Sequence, residues 1–208
     1  MRDPDPHAVD GGEVLGLRFD VFGVLEREFV RPYYVLLNAT GRTEEREGRK
    51  RLRVHRHTVP AFVPLRELEA RFLPASDGEQ DLAGLAREVR KGLVSFHRRR
   101  EAVERVKREA ENACAEIGVS EVKEVDPSAK EFEMVFRDES VARVRVGVDG
   151  AIVNAVVRAP PTDGSEERGR SADRRKRDVE RAIVGGDGRI ESLPQRLRDK
   201  NRPEPMAA

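Results

Sequence analysis

His55 and His57 stand two apart in RLRVHRHTV. On a strand, residues i and i+2 project to one face, as a pair of metal ligands would. A third donor is not visible: His7 lies in a loose lead-in and His97 in a helical stretch. The pair therefore reads as a strand edge that is exposed or faces a partner. Arg98, Arg99 and Arg100 follow His97 and make a basic turn suited to phosphate or DNA contact. Glu101, Glu104 and Glu109 lace the same helix with pairs three or four apart, which favours a solvated face. Arg174–Arg177 has the composition of a nuclear-localisation patch. Gly185-Gly186-Asp187-Gly188 lacks the Lys-Ser/Thr of a phosphate loop and reads as a turn. Cys114 falls at a core spacing late in a helix and reads as packed. No Ser/His/Asp order, HExxH or paired-carboxylate cleft stands out, so neither a catalytic residue, a metal, a cofactor nor a small-molecule substrate is expected. The remaining candidates are aromatic. Tyr33 and Tyr34 face opposite ways on a strand, so one should be half exposed. Phe62 is held between Pro60 and Pro64, each of which fixes its own φ and extends the residue before it.

These residues sit on elements that the spacing of apolar side chains defines. Leu15, Leu17, Phe19 and Val21 alternate, which predicts a strand with Arg18 and Asp20 on its other face. A second strand covers Phe29 to Leu37, with Pro32 marking its start or an edge. The third, RLRVHRHTV, follows a charged hairpin loop, GRTEEREGRK. The Pro elbow then releases the chain into the helix LRELEARFL. Asp81 can cap the next helix, and apolar residues every three or four positions carry it from Leu82 to about Glu116, about 50 Å at 1.5 Å per residue. Such a length suits a connector between two modules. Gly118 ends it. Phe132, Met134 and Phe136 alternate next, and Asp149-Gly150 joins Val141–Val148 to Ala151–Arg158 as a hairpin, with Val144, Val146 and Val148 on one face. A polar linker over 159–172, a weak helix over Asp173–Val184 and a short segment Leu193–Leu197 complete the chain.

The fold class expected is α+β: two modules, each an antiparallel sheet covered by helices, joined by a long helix. The expected limits are a disordered lead-in over 1–13, a first module over 14–117, a second over 118–199 and a disordered tail over 200–208. Seven of the ten aromatic residues lie at or before Phe72, which places the densest core in the first module.

Composition narrows the function. Of 208 residues, 38% are hydrophobic and 38% charged, with no Trp, so cores are thin and much surface is solvated. Lys plus Arg number 40 and Asp plus Glu 39, a net charge of +1 that speaks against a bulk affinity for nucleic acid. One cysteine excludes an internal disulfide and a cysteine metal cage. Without a signal peptide or an apolar run of about 18 residues, a soluble protein of a reducing compartment is expected, with no membrane partner.

GLRFDVF, RPYYVLL and VHRHTVPAFVPL, followed by DLAGLAREVRKGLVSFHRRREAV, resemble the centromere protein O family of inner-kinetochore subunits. In fungi these belong to the four-protein COMA assembly. The resemblance covers about Leu15 to Val106; beyond Cys114 it rests on the order of elements. It implies a non-enzymatic subunit of the nuclear kinetochore with two RWD folds in tandem. It also implies a heterodimer with a similarly built centromere protein P-like subunit that docks on the other COMA subunits. Tyr33, Tyr34, His55, His57 and Phe62 are then candidate partner contacts. Members carry a longer leader with coiled-coil character, where residues 1–13 stand here, so contacts of that leader are not carried over. The competing readings are an RWD-like adaptor in another intracellular complex and a DNA-binding scaffold that uses Arg98–Arg100 and the tail. An RWD-like ubiquitin-conjugating enzyme would need a catalytic Cys beside the sheet, where Cys114 does not fall.

Overall fold

The computed structural model describes residues 14–40, 51–75, 78–159 and 166–202. The expectations for 1–13, for the loop 41–50, for 160–165 and for 203–208 lie outside the described residues. The chain is mixed α+β with antiparallel sheets, and it divides into two compact units, residues 1–94 and 95–208.

In the first unit the alternation at Leu15–Val21 gives β1, Val14–Phe19. The chain continues through two-residue strands, β2 (Phe22–Gly23) and β3 (Glu28–Phe29), into β4, Tyr33–Thr40. Strand β5, Arg51–His57, completes a sheet of order β1-β4-β5. Strand β4 therefore starts after Pro32, and the earlier part of the expected Phe29–Leu37 run belongs to a separate hairpin tip. Val35 and Leu37 are fully buried on the inner face, and Leu17, Phe19 and Tyr33 share that face through their pairing. The elbow closes with Val63 N–H donating to the Pro60 carbonyl at 3.0 Å, and helix α1 runs Leu65–Phe72. Helix α2, Leu82–Asn112, begins under its expected cap: Asp81 Oδ1 accepts from the Gly84 N–H at 2.7 Å. Leu85, Val89 and Leu93, at spacings of four, join Val59, Val63 and Leu65 in the first core. The boundary between the two units falls within α2, after Val94.

In the second unit, Ala102, Val103, Val106 and Ala110 of α2 are buried. The expected continuation to Glu116 is broken at Ala113, whose φ of −133° leaves the helix, and a short helix α3 spans Cys114–Ile117. Cys114 thus opens a new helix at intermediate exposure instead of packing late in the long one. Gly118 ends α3 in the left-handed region at φ 72°, which glycine adopts without strain. A four-stranded meander follows: β6 (Val119–Glu124), β7 (Glu131–Phe136), β8 (Val141–Val146) and β9 (Ile152–Arg158). Strand β6 escapes period-2 reading because a bulge at Ser120 puts its buried residues, Val119 and Val122, three apart. Cross-strand rows such as Val122, Met134, Ala142 and Val157 build the inner face. Strand β8 stops at Val146, so Val148 is a turn residue, exposed, and not part of that face.

Helix α4 runs Glu166–Val184 and covers β9. The second half of the stretch read as a linker is therefore helical. Its first three turns carry no large apolar residue, so no periodic signal announced them; Glu, Arg, Lys and Ala supply the intrinsic preference instead. Val179 and Ile183 dock it. After a 3₁₀ turn at Ile190–Ser192, helix α5 (Leu193–Asn201) buries Leu193 and Leu197 and carries regular structure past Lys200, where a tail was expected.

The expectation that the densest core lies in the first unit is corrected. Among the described residues, the second core holds nearly twice as many buried apolar side chains. Aromatic count misled because it did not distinguish inside from outside.

Candidate functional site

Of the seven aromatics up to Phe72, only Phe19 is buried. Tyr33, Phe62 and Phe72 are half-buried against the first core. Tyr34, on the opposite face of β4, is 39% exposed, as the alternation of the two tyrosines required. Its backbone N–H donates to Thr58 Oγ1 at 2.8 Å, which ties the strand to the residue just beyond β5.

Sequence reasoning missed the most exposed aromatic pair. Phe22 and Phe29 face each other across β2 and β3 with ring centroids 5.3 Å apart at 76°, an edge-to-face contact. They are 51% and 67% exposed. Val21 and Gly23 alternate inward, and the turn beyond is closed with Arg27 at φ 57°. Alternation over Phe19–Phe22 was the available signal. With Val21 turned inward, the neighbouring Phe22 must turn outward.

The two histidines are not a simple i, i+2 pair. A bulge between Leu36 and Leu37 takes His55 out of register. His57 then stands opposite Val35, and Val54 opposite Leu37. Both histidines are exposed, and His57 Nδ1 lies 3.1 Å from the Val59 carbonyl oxygen. No group of three or more His, Cys, Asp or Glu placed to hold a metal occurs among the described residues.

The basic turn is split by the helix it lies on. Arg98 and Arg100 are exposed, whereas Arg99 is buried. Its Nη1 donates to Ser95 Oγ at 2.6 Å and its Nη2 to the Ser128 carbonyl at 3.1 Å. Ser95 Oγ in turn donates to the Val148 carbonyl. Arg99 is thus a clamp between α2 and two loops of the second unit, and is removed from any phosphate-binding set. Burial pushes its guanidinium pKa down, opposed by the nearby Asp126 carboxylate. His97 is also buried, and burial, then the Arg100 charge, lowers its pKa. Arg174, Arg175 and Arg177 are exposed on α4, with Lys176 half-buried. Asp187, in the turn after α4, accepts from Ser192 and Arg196, and Arg196 also donates to the Ala182 and Ile183 carbonyls at the end of α4. This stretch is a helix cap, as the missing phosphate-loop residues indicated.

Among the described residues the arrangement brings no convergent donors or acids together; it places aromatic rings at the surface of one unit. A family model described as Cenp-O kinetochore centromere component matches residues 1–197. The chain belongs to this family. The match extends well past the Leu15–Val106 region that carries the sequence motifs and takes in the second unit. The Cenp-O chain is accordingly a component of the kinetochore at the nuclear centromere, working in a complex with protein partners. A search of the curated proteins finds no match.

Proposed function

We propose that this Cenp-O chain is a non-enzymatic assembly subunit that pairs with a centromere protein P-like subunit within a COMA-type complex. In this reading the two α+β units are RWD-like modules in tandem and α2 joins them. The observation that carries the reading is the display of Phe22, Phe29 and Tyr34 on the first unit. Exposed aromatic residues are favoured anchors of protein interfaces. Tyr34 and the exposed His55 and His57 are further candidate contacts, His57 standing opposite Val35 and not on the face of Tyr34, while Tyr33 and Phe62 pack against the core.

Co-production with a centromere protein P-like subunit, followed by light scattering after gel filtration, tests the reading. A 1:1 complex is expected, with the chain alone aggregating or binding hydrophobic dye. A monodisperse, cooperatively melting chain with no affinity for such a subunit would overturn it. Direct DNA contact is confined in this reading to the exposed Arg98, Arg100 and α4 arginines. A shallow dependence of DNA affinity on salt is expected, because few phosphates can be neutralised.

A further inference from the structure

The four edges of the two larger sheets are not treated alike. Strand β5 is blocked: Glu69 Oε1 accepts from the Val54 N–H at 2.8 Å, and Gln80 bonds both the N–H and the carbonyl of Leu52, at 2.9 and 3.0 Å. Strand β9 is blocked in the same way, with Glu180 Oε1 accepting from the Val157 N–H at 3.0 Å. Strand β6 is interrupted by the bulge at Ser120 and studded with exposed Glu121, Lys123 and Glu124. Side-chain caps, bulges and edge charges are the devices by which folded proteins keep an edge from pairing.

Strand β1 carries neither a side-chain cap nor a bulge among the described residues, and it has one charged residue where β6 has three. Its six residues, VLGLRF, keep unbroken register with β4, and its one charged residue, Arg18, is paired with Asp20 at 2.9 Å. Leu15 is 44% exposed there. Immediately beyond lies the Phe22–Phe29 pair. A regular apolar edge continued by exposed rings offers main-chain groups for a ladder and an aromatic anchor for its end.

We propose that β1 is a strand-addition site, taken by an extended segment of another subunit that has apolar residues at alternate positions. This rests on the reading of the chain as an assembly subunit, and it names the place and the form of one contact. A strand is favoured over a helix because what β1 leaves open among the described residues is a row of backbone donors and acceptors, which a helix, with its own backbone bonds satisfied, does not pair.

Hydrogen exchange compares the full chain alone with the chain in its co-produced complex with a centromere protein P-like subunit. Amides of β1 should slow at least about tenfold on assembly, with those of β5 and β9 unchanged. Leu15→Lys, a charge placed on the edge, should weaken the complex about tenfold, and so should the double variant Phe22→Ser, Phe29→Ser, each with an unaltered melting temperature. Val153→Lys, on the capped β9, should leave affinity unchanged. An intact complex whose β1 amides exchange as fast as in the free chain overturns this site and leaves the assembly reading standing. Protection of β1 that grows with the concentration of the chain alone makes a second copy the occupant and also overturns it. Failure of any complex to form removes the assembly reading and this site with it.

Discussion

The two units of this chain use aromatic residues in opposite ways. In the second unit Phe96, Phe132 and Phe136 are all buried, and the outer face of the sheet mixes Glu131, Glu133, Arg143 and Arg145 with exposed Val156 and carries no aromatic ring. In the first unit Phe19 alone is buried, and Phe22, Phe29 and Tyr34 point to solvent. A unit that spends its rings on its surface has less to stabilise itself and more to offer a partner. If the first unit carries recognition, as proposed, the second should be the self-sufficient one, and each of the following outcomes could break that contrast.

The largest effect should come from Phe132→Ala. Its ring is fully buried between the rows of β6 and β8, so truncation leaves a cavity and should cost about 3–5 kcal/mol in denaturant unfolding. Phe29→Ala, the same chemical change on the first unit's surface, should shift stability by no more than about 0.5 kcal/mol. Equal losses at the two positions would erase the contrast.

Arg99→Ala should come next, at about 1–3 kcal/mol, because it leaves the buried Ser128 carbonyl without its donor. The loss should be read by hydrogen exchange in β6–β9 and not in β1, β4 and β5. A loss spread evenly over both units would mean that the clamp is not local.

Acid should also separate the units. Burial alone would raise the Asp126 carboxyl, but bonds donated by Ser128 Oγ and by the backbone N–H groups of Glu131, Ser128 and Lys130 outweigh it and lower the pKa. Asp138 follows the same pattern, with burial opposed by the bonds from Ser140. A lowered carboxyl pKa contributes stability above the unfolded value, about 3.9, that is lost as pH falls through the folded one. His97, also lowered, contributes stability present above about 6.5 and lost as pH falls below it. All three groups lie in the second unit. Its stability should therefore decline in two steps on acidification, the first beginning as pH falls below about 6.5 and absent in His97→Phe. A first unit that loses protection in the same step would count against the assignment.

Much of this was legible in the chain because local rules acted alone. Asp81 capped its helix, Gly118 stopped one and Asp149-Gly150 turned a hairpin, each through chemistry confined to a few residues. What escaped depended on residues far apart or on shifted register. The bulge in β5 depends on how that strand meets β4 and separates His55 from His57. The bulge in β6 hid a whole strand. Arg99 looked like one member of a basic triplet, since only the tertiary fold brings the Ser128 carbonyl beneath it. The aromatic surface escaped for a simpler reason: hydrophobicity says that a ring prefers burial, whereas the alternation that buries Val21 turns Phe22 outward.

The smallest expected effect tests the other side of the comparison, the outer face of the second sheet. There Lys123, Glu133 and Arg143 form one cross-strand row, and Glu131 stands opposite Arg145. Arg143 Nη2 reaches Glu131 Oε2 at 2.7 Å, and Arg145 Nε lies 3.5 Å from Glu131 Oε1. Both arginine side chains are more than half exposed, and solvent-exposed ion pairs contribute about 0–1 kcal/mol. Arg143→Ala should therefore lower stability by less than about 1 kcal/mol, less still at high salt. It should leave affinity for a partner unchanged, because this face presents no aromatic anchor. Tyr34→Ala, on the corresponding outer face of the first sheet, should do the reverse, with little change in melting and a weaker complex. Binding titrations of the two variants against one partner preparation read the difference directly. If Arg143→Ala weakens the complex as much as Tyr34→Ala, the second sheet is also a docking face, and the division of labour between the units fails.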